Sequence, residues 1–195
     1  LRIDGLCLKQ ILRIGVPAGV QSAMFSIANI VIQGAINSLG TVVMAASSAA
    51  YNIEVITYDI LNSFSQACTT FVGQNFGAGE IKRCKKTLLL CLLEGIISLG
   101  VAIALILFFG KSLLTIFNGD PQVVETGYIR LMLIMPSHLF SLCYEVLSGY
   151  LRGFGISLTP ALITMICVCG IRFYWVFCVF PHFRTFANIM ICLLY

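Results

Sequence analysis

Long apolar runs constrain the fold of this 195-residue chain more than any other feature. A helix that crosses a bilayer needs about 20 mostly apolar residues, because lipid cannot hydrogen-bond an exposed backbone. Five runs meet that requirement, and a sixth is too short to cross. We therefore predict an all-α, polytopic membrane protein. The predicted spans are 14–38, 43–71, 87–108, 127–151, 157–180 and the incomplete 185–195.

The charged residues agree with lipid as the solvent of these helices. Only 10% of the chain is charged, whereas a soluble domain carries about a quarter. With the N-terminus in the cytoplasm, eight of the twelve Lys and Arg residues fall on the cytoplasmic side, most densely in the loop GQNFGAGEIKRCKK at 73–86. The positive-inside rule therefore predicts a multi-pass membrane protein with a cytoplasmic N-terminus. It also explains the basic cluster without a nucleic-acid partner.

Several function classes find no support in the sequence. The nine cysteines and two histidines do not form a metal or disulfide pattern, and no nucleophile–base constellation or phosphate-binding P-loop is present. We therefore expect a protein that is not an enzyme and holds no cofactor. The chain begins at Leu1 without a signal peptide and ends inside an apolar run, so we also expect a fragment of a longer protein.

Polar side chains form a stripe on one face of the first predicted span. They recur at steps of three or four residues, which is the spacing of one helical face. Such a face must meet protein or water rather than lipid. Helix–helix hydrogen bonding is one explanation, and a cavity wall is the one that we favour, because five polar positions exceed what packing needs. The stripe consists of Ser22, Ser26, Asn29, Gln33 and Asn37.

The second predicted span adds two acids to this pattern. Glu54 lies near the bilayer middle, in a stripe with Tyr51 and Tyr58, and the Tyr58 phenol is one turn away as a hydrogen-bond partner. Asp59 follows five residues later and points about 140° away, toward another helix or the edge of the cavity. A carboxylate at this depth is costly unless it is paired, hydrated or protonated, and such residues are commonly functional.

A third acid, Glu145, lies on one face of the fourth predicted span together with Arg152. It forms either an ion pair, for instance with Arg172, or an ion or proton site. Arg172 itself either snorkels outward or pairs with Glu54, and it is the only base that we expect to be buried. The predicted cation- and drug-binding residues are Glu54, Glu145, Tyr58, Tyr51, Gln33, Asn37 and Asn29, with Asp59 and Arg172 as possible members.

Four stretches resemble the multidrug and toxic compound extrusion (MATE) transporters, and specifically the C-terminal lobe of a bacterial member. The resemblance covers nearly the whole chain. Its most specific parts are the Gly-Gln-Asn-x-Gly-Ala-Gly loop followed by basic residues and the later Leu-Arg-Gly-x-Gly. The stretches are IGVPAGVQSAMFSIANIVIQGAINSLG (14–40), FVGQNFGAGEIKRCKK (71–86), EVLSGYLRGFG (145–155) and CGIRFYWVFCVFP (169–181).

The resemblance implies one six-helix lobe, helices 7 to 12 of a twelve-helix transporter, with the last helix truncated. It implies an antiporter of the plasma (inner) membrane that works by alternating access and exports cationic drugs in exchange for H⁺ or Na⁺. The implied partners are small cationic organic substrates, membrane lipid and an N-terminal lobe, and the only implied metal is a transient Na⁺. Many sodium-type members carry a carboxylate on the seventh helix, and 14–38 has none, so both coupling ions stay open.

Two alternatives to drug export remain at this point. A lipid-linked oligosaccharide flippase of the same superfamily would carry an anionic substrate and need a cationic lumen. The predicted lumen offers acids and amides with Arg172 as its one buried base, which favours the drug exporter. The other alternative is a half-length chain that does not transport by itself.

Overall fold

The computed structural model describes residues 4–182 and 185–193, and every regular element in that part of the chain is helical. The prediction of an all-α protein is confirmed. The glycines at the chain reversals adopt positive φ angles, +111° at Gly40 and +76° at Gly79, a region that other residues rarely enter. The helices are α1 (Gly5–Asn37), α2 (Thr41–Gly77), α3 (Ile81–Phe117), α4 (Pro121–Ile134), α5 (Ser137–Gly153), α6 (Leu158–Val179) and α7 (Phe186–Leu193).

The predicted span 127–151 lies in two helices rather than one. α4 ends at Ile134, α5 begins at Ser137, and the two axes differ by 46°. Pro136 lies at this break and has no backbone N–H, and its ring clashes with the carbonyl four residues earlier. At the other end of α4, the Asp120 side chain accepts a hydrogen bond from the backbone N–H of Gln122 at 2.9 Å, which caps the helix.

Within the described residues, three helices are long and apolar enough to cross a membrane, namely α1, α3 and α6, and α4 with α5 forms a fourth if the bent pair is one span. α2 is absent from this group although it has 37 residues. The reason lies in its polar side chains, since Glu54, Thr57 and Ser65 are buried against other helices and never meet lipid. These polar residues lower the mean hydropathy of α2 even though the neighbouring helices cover them.

α2 forms the centre of the larger helix group. It packs against α3, α4 and α5 through a core that includes Leu61, Leu99, Leu142 and Val146. α1, α6 and α7 form a second group around another apolar cluster. The two groups meet where α1 packs against α2 and where α7 packs against α4, and a polar cavity lies between them.

α6 departs from a regular α-helix at two places. Met165–Cys169 and Trp175–Val179 are π-helical turns, and Gly170–Tyr174 between them is α-helical. Such turns are rare, and they are frequent at functional sites.

Candidate functional site

A cavity of about 470 Å³ opens between α1, α2, the α4–α5 pair and α6. Each of these helices turns polar side chains toward it, so about half of its wall is polar in an otherwise apolar chain. Its ionisable and aromatic polar residues are Tyr51, Glu54, Tyr58, Arg130, His138, Tyr144, Glu145, Arg152 and Arg172.

The structure brings seven of the predicted site residues to this one cavity. They are Glu54, Glu145, Tyr58, Tyr51, Gln33, Asn29 and Arg172.

The other two predicted residues lie elsewhere. Asn37 is not among the lining residues but accepts a hydrogen bond from the Gln33 side chain at 3.0 Å, so it orients a residue that does line the cavity. Asp59 is exposed on another side of α2. A binding role for each of the nine residues stays a prediction.

Glu54 forms a two-pronged ion pair with Arg130 of α4. Arg130 Nε donates to Glu54 Oε1 at 2.7 Å and Nη2 donates to Oε2 at 2.8 Å. Both side chains are almost fully buried, with 5% and 9% of their surfaces exposed. This geometry matches both donors of the guanidinium edge to both carboxylate oxygens, the strongest arrangement for such a pair. Glu54 is therefore fully charge-compensated in this conformation.

The partner of Glu54 differs from the ones suggested by the sequence, which were Tyr58 and Arg172. Hydropathy assigned Arg130 to the outer end of a span, whereas the structure buries it with 4% exposed. The prediction that Arg172 is the only buried base is therefore wrong. The spacing of Val123, Gly127 and Arg130 by four and three residues was a usable signal, because it places Arg130 on the buried face of α4.

Glu145 is held less tightly than Glu54. Its Oε2 atom lies 3.6 Å from Arg152 Nη2, beyond good hydrogen-bond distance. Arg152 Nη2 instead donates to Ser65 Oγ at 2.9 Å, and that hydroxyl donates to the Glu145 backbone carbonyl at 2.7 Å. The Glu145 side chain is 14% exposed. Its carboxylate thus keeps acceptor capacity on the cavity side.

His138 lies two residues after the helix-breaking Pro136. Its Nδ1 atom lies 2.7 Å from the Thr57 hydroxyl, and the ring lines the cavity just after the α4–α5 break. The Thr57 hydroxyl also lies 2.7 Å from the Glu54 backbone carbonyl. This contact ties α5 to α2 next to the Glu54–Arg130 pair.

The fixed charges of the cavity wall do not cancel. Glu54 and Glu145 contribute two negative charges, and Arg130, Arg152 and Arg172 contribute three positive charges. The difference, three minus two, leaves the wall with one positive charge. Acids and amides line the cavity as expected, but the expectation that Arg172 is its one base is wrong, because Arg130 and Arg152 line it as well.

Comparison with known proteins points to one family. The family model MatE matches residues 17–177. Two proteins, each called probable multidrug resistance protein NorM, are 29% identical to the chain: that of Chromobacterium violaceum over 78% of the chain and that of Thermotoga maritima over 90%. An FAD transporter of Shewanella oneidensis is also 29% identical, over 56% of the chain.

The fold is shared with solved transporter structures. An outward-facing multidrug resistance MATE family transporter of the MOP superfamily superimposes with a TM-score of 0.86 over 95% of this chain, at 16% sequence identity. The match covers 41% of that transporter. The chain likewise spans 33% and 38% of the length of the two NorM proteins, and 24% of the FAD transporter.

Proposed function

We infer the function of this chain from its membership of the MatE family of multidrug efflux transporters. Members are multi-pass membrane proteins and transporters rather than enzymes. We propose that this chain is the C-terminal lobe of an antiporter that works by alternating access, in the plasma (inner) membrane with a cytoplasmic N-terminus. It would export small cationic organic substrates in exchange for H⁺ or Na⁺, with no catalytic residue and no cofactor.

The weakly paired carboxylate of Glu145 in the polar cavity carries this proposal. A carboxylate whose cationic partner lies beyond hydrogen-bond distance can attract either the ammonium of a substrate or a coupling cation. Because one site cannot hold both at once, a proton or Na⁺ that neutralises Glu145 releases the substrate. The cation gradient then drives export through the difference in affinity between the two states.

Glu54 acts in the same cavity under a different constraint. In the described conformation both of its oxygens accept hydrogen bonds from Arg130. A substrate cation or coupling ion competes with that guanidinium for Glu54, so Glu54 becomes available only when α4 moves relative to α2. Glu145 is therefore the first binding carboxylate of the proposed cycle and Glu54 the second.

The remaining predicted residues supply the wall around these acids. Tyr51 and Tyr58 offer aromatic faces that attract organic cations. Gln33 and Asn29 offer amide oxygens suited to substrate polar groups or Na⁺. The hydrogen bond from the Gln33 side chain to Asn37 fixes the orientation of the Gln33 amide.

An anionic substrate is the second candidate, and the excess of arginines over acids favours it. One similar protein is called an FAD transporter, and FAD is a phosphate-bearing anion. A lipid-linked oligosaccharide flippase of the same superfamily belongs to this class. A chain that binds substrate without moving it is the third candidate.

Neutralising Glu145 tests the export of cations. We expect Glu145→Gln to reduce ethidium efflux from cells expressing the protein by about tenfold or more, since a tenfold change in affinity corresponds to about 1.4 kcal/mol. Glu125→Gln is the matched control, because Glu125 pairs with Lys111 at the exposed end of α3, outside the cavity. Undiminished efflux by Glu145→Gln contradicts the proposal. If the cells export an anionic dye instead of ethidium, the second candidate is supported. If the protein binds a dye without exporting it, the third candidate is supported.

A further inference from the structure

Arg172 differs from the other two arginines of the cavity in lacking a carboxylate partner. Arg130 pairs with Glu54 and Arg152 with Glu145, whereas Arg172 takes part in none of the ion pairs between residues 4–182 and 185–193. The single positive charge left on the cavity wall therefore resides on this side chain.

The contacts of Arg172 orient its guanidinium without neutralising it. Nη1 donates to Asn29 Oδ1 at 3.1 Å, and the guanidinium carbon lies 5.8 Å from the centre of the Phe25 ring. Its Nε atom is buried and has no hydrogen-bond partner in the part of the chain that the structure describes. A guanidinium offers several N–H donors in one plane, and among the described residues only the bond to Asn29 uses one of them.

A charge in this position is costly as long as it stays unpaired. Removing an ion from water without a counter-charge costs several kcal/mol, and an unsatisfied buried donor adds to that cost. Residues that keep such an arrangement are commonly found at ligand sites. An anion that entered the cavity would relieve both costs.

The backbone around Arg172 is unusual in a way that agrees with a binding site. The residue lies in the short segment Gly170–Tyr174 between the two π-helical turns of α6. Each π-helical turn shifts the phase of the side chains that follow it relative to a regular helix. Such turns occur frequently at functional sites, and here one flanks the arginine on each side.

We propose that Arg172 forms an anion subsite of this cavity, which binds the carboxylate or phosphate group of an organic anion or zwitterion. The planar guanidinium matches both groups through paired hydrogen bonds. Asn29 positions the guanidinium, and Glu145 receives the ammonium end when the ligand is a zwitterion. This subsite rests on the proposed use of the cavity for substrates and extends it to ligands with a negative group.

Two forms of one dye test the subsite directly. A rhodamine methyl ester is a permanent cation, and the corresponding free acid carries a carboxylate on the same fluorophore. Binding of each is measured by fluorescence polarisation with the chain in lipid nanodiscs. We expect Arg172→Met to weaken binding of the free acid by about tenfold or more while leaving ester binding unchanged or tighter. Arg172→Lys should restore part of the affinity, and Lys111→Met, outside the cavity, should change neither.

A second experiment uses only the unmodified chain, so it does not depend on the folding of a variant. It measures whether small anions compete with each dye for binding. Benzoate or inorganic phosphate should displace the free acid and not the ester, and the more effective competitor identifies the preferred group. The subsite is overturned if neither competitor distinguishes the two dyes, or if a folded Arg172→Met chain binds both dyes as before. In that case the proposed function is still supported if binding of the ester depends on Glu145. If the unmodified chain binds neither dye, both the Arg172 subsite and the proposed function are overturned.

Discussion

Arg130→Met should destabilise the chain by about 3–5 kcal/mol, the range observed when one member of a buried ion pair is removed. The substitution leaves the Glu54 carboxylate without either of its guanidinium hydrogen bonds, in a site where only 9% of its side chain is exposed. Lipid around the helices supplies no alternative partner. The free energy of unfolding in mixed micelles, followed by denaturant titration, measures the effect.

A double substitution separates charge from packing in this prediction. Arg130→Met together with Glu54→Gln removes both charges, so we expect it to recover a large part of the stability lost in either single variant. Lys111→Met is the control, because Lys111 and Glu125 form the exposed ion pair of the chain's described part and exposed pairs contribute little. A double variant as unstable as Arg130→Met alone would contradict the account of this pair.

Gly149→Ala should also destabilise the chain strongly, at or above the upper end of the roughly 1–3 kcal/mol that overpacking typically costs. A Cβ at this position would overlap the backbone carbonyl oxygen of Ser65 and lie 2.9 Å from its hydroxyl. The backbone of α2 cannot retreat, because Thr69 Oγ1 donates to the Gly149 carbonyl at 3.0 Å and Ser65 binds the Glu145 carbonyl. Small residues allow this close approach of two helices.

Gly100→Ala is the matched control for the second prediction. Gly100 lies inside α3, and a Cβ there meets no atom within 4 Å. Alanine should therefore stabilise α3 by about 0.5–1 kcal/mol, because it restricts the unfolded backbone. If Gly149→Ala lowers the free energy of unfolding and Gly100→Ala raises it in the same assay, the close packing of α2 against α5 is supported. A Gly149→Ala chain as stable as the unmodified one would show that α2 and α5 are further apart.

Helical periodicity predicted the cavity better than it predicted the charge pairs inside it. The polar stripe of α1 and the Tyr51–Glu54–Tyr58 face of α2 meet in one cavity because a polar face in lipid must turn inward. The same phasing placed Asp59 off that face, and the structure leaves it exposed. Phase along one helix is a local property, so it can be read from one segment.

The pairing of Glu54 with Arg130 is not local, because it joins residues 76 positions apart. It depends on which face of α4 packs against α2, and that depends on the bend at Pro136. The proline was visible in the sequence, but the 46° angle that it produces is set by the packing of both helices. Hydropathy alone therefore treated α4 and α5 as one span and left Arg130 near its end.

The central claim is that one carboxylate of this cavity holds either an organic cation or a coupling cation. Its most direct test is the binding of the rhodamine methyl ester to the chain in nanodiscs across a range of pH and of Na⁺ concentration. Because a proton or Na⁺ on Glu145 removes the negative charge, we predict that ester affinity falls as pH is lowered or as Na⁺ is raised at constant ionic strength. Glu145→Gln should bind the ester weakly and without either dependence. Equal ester affinity in both chains under all of these conditions would contradict the account.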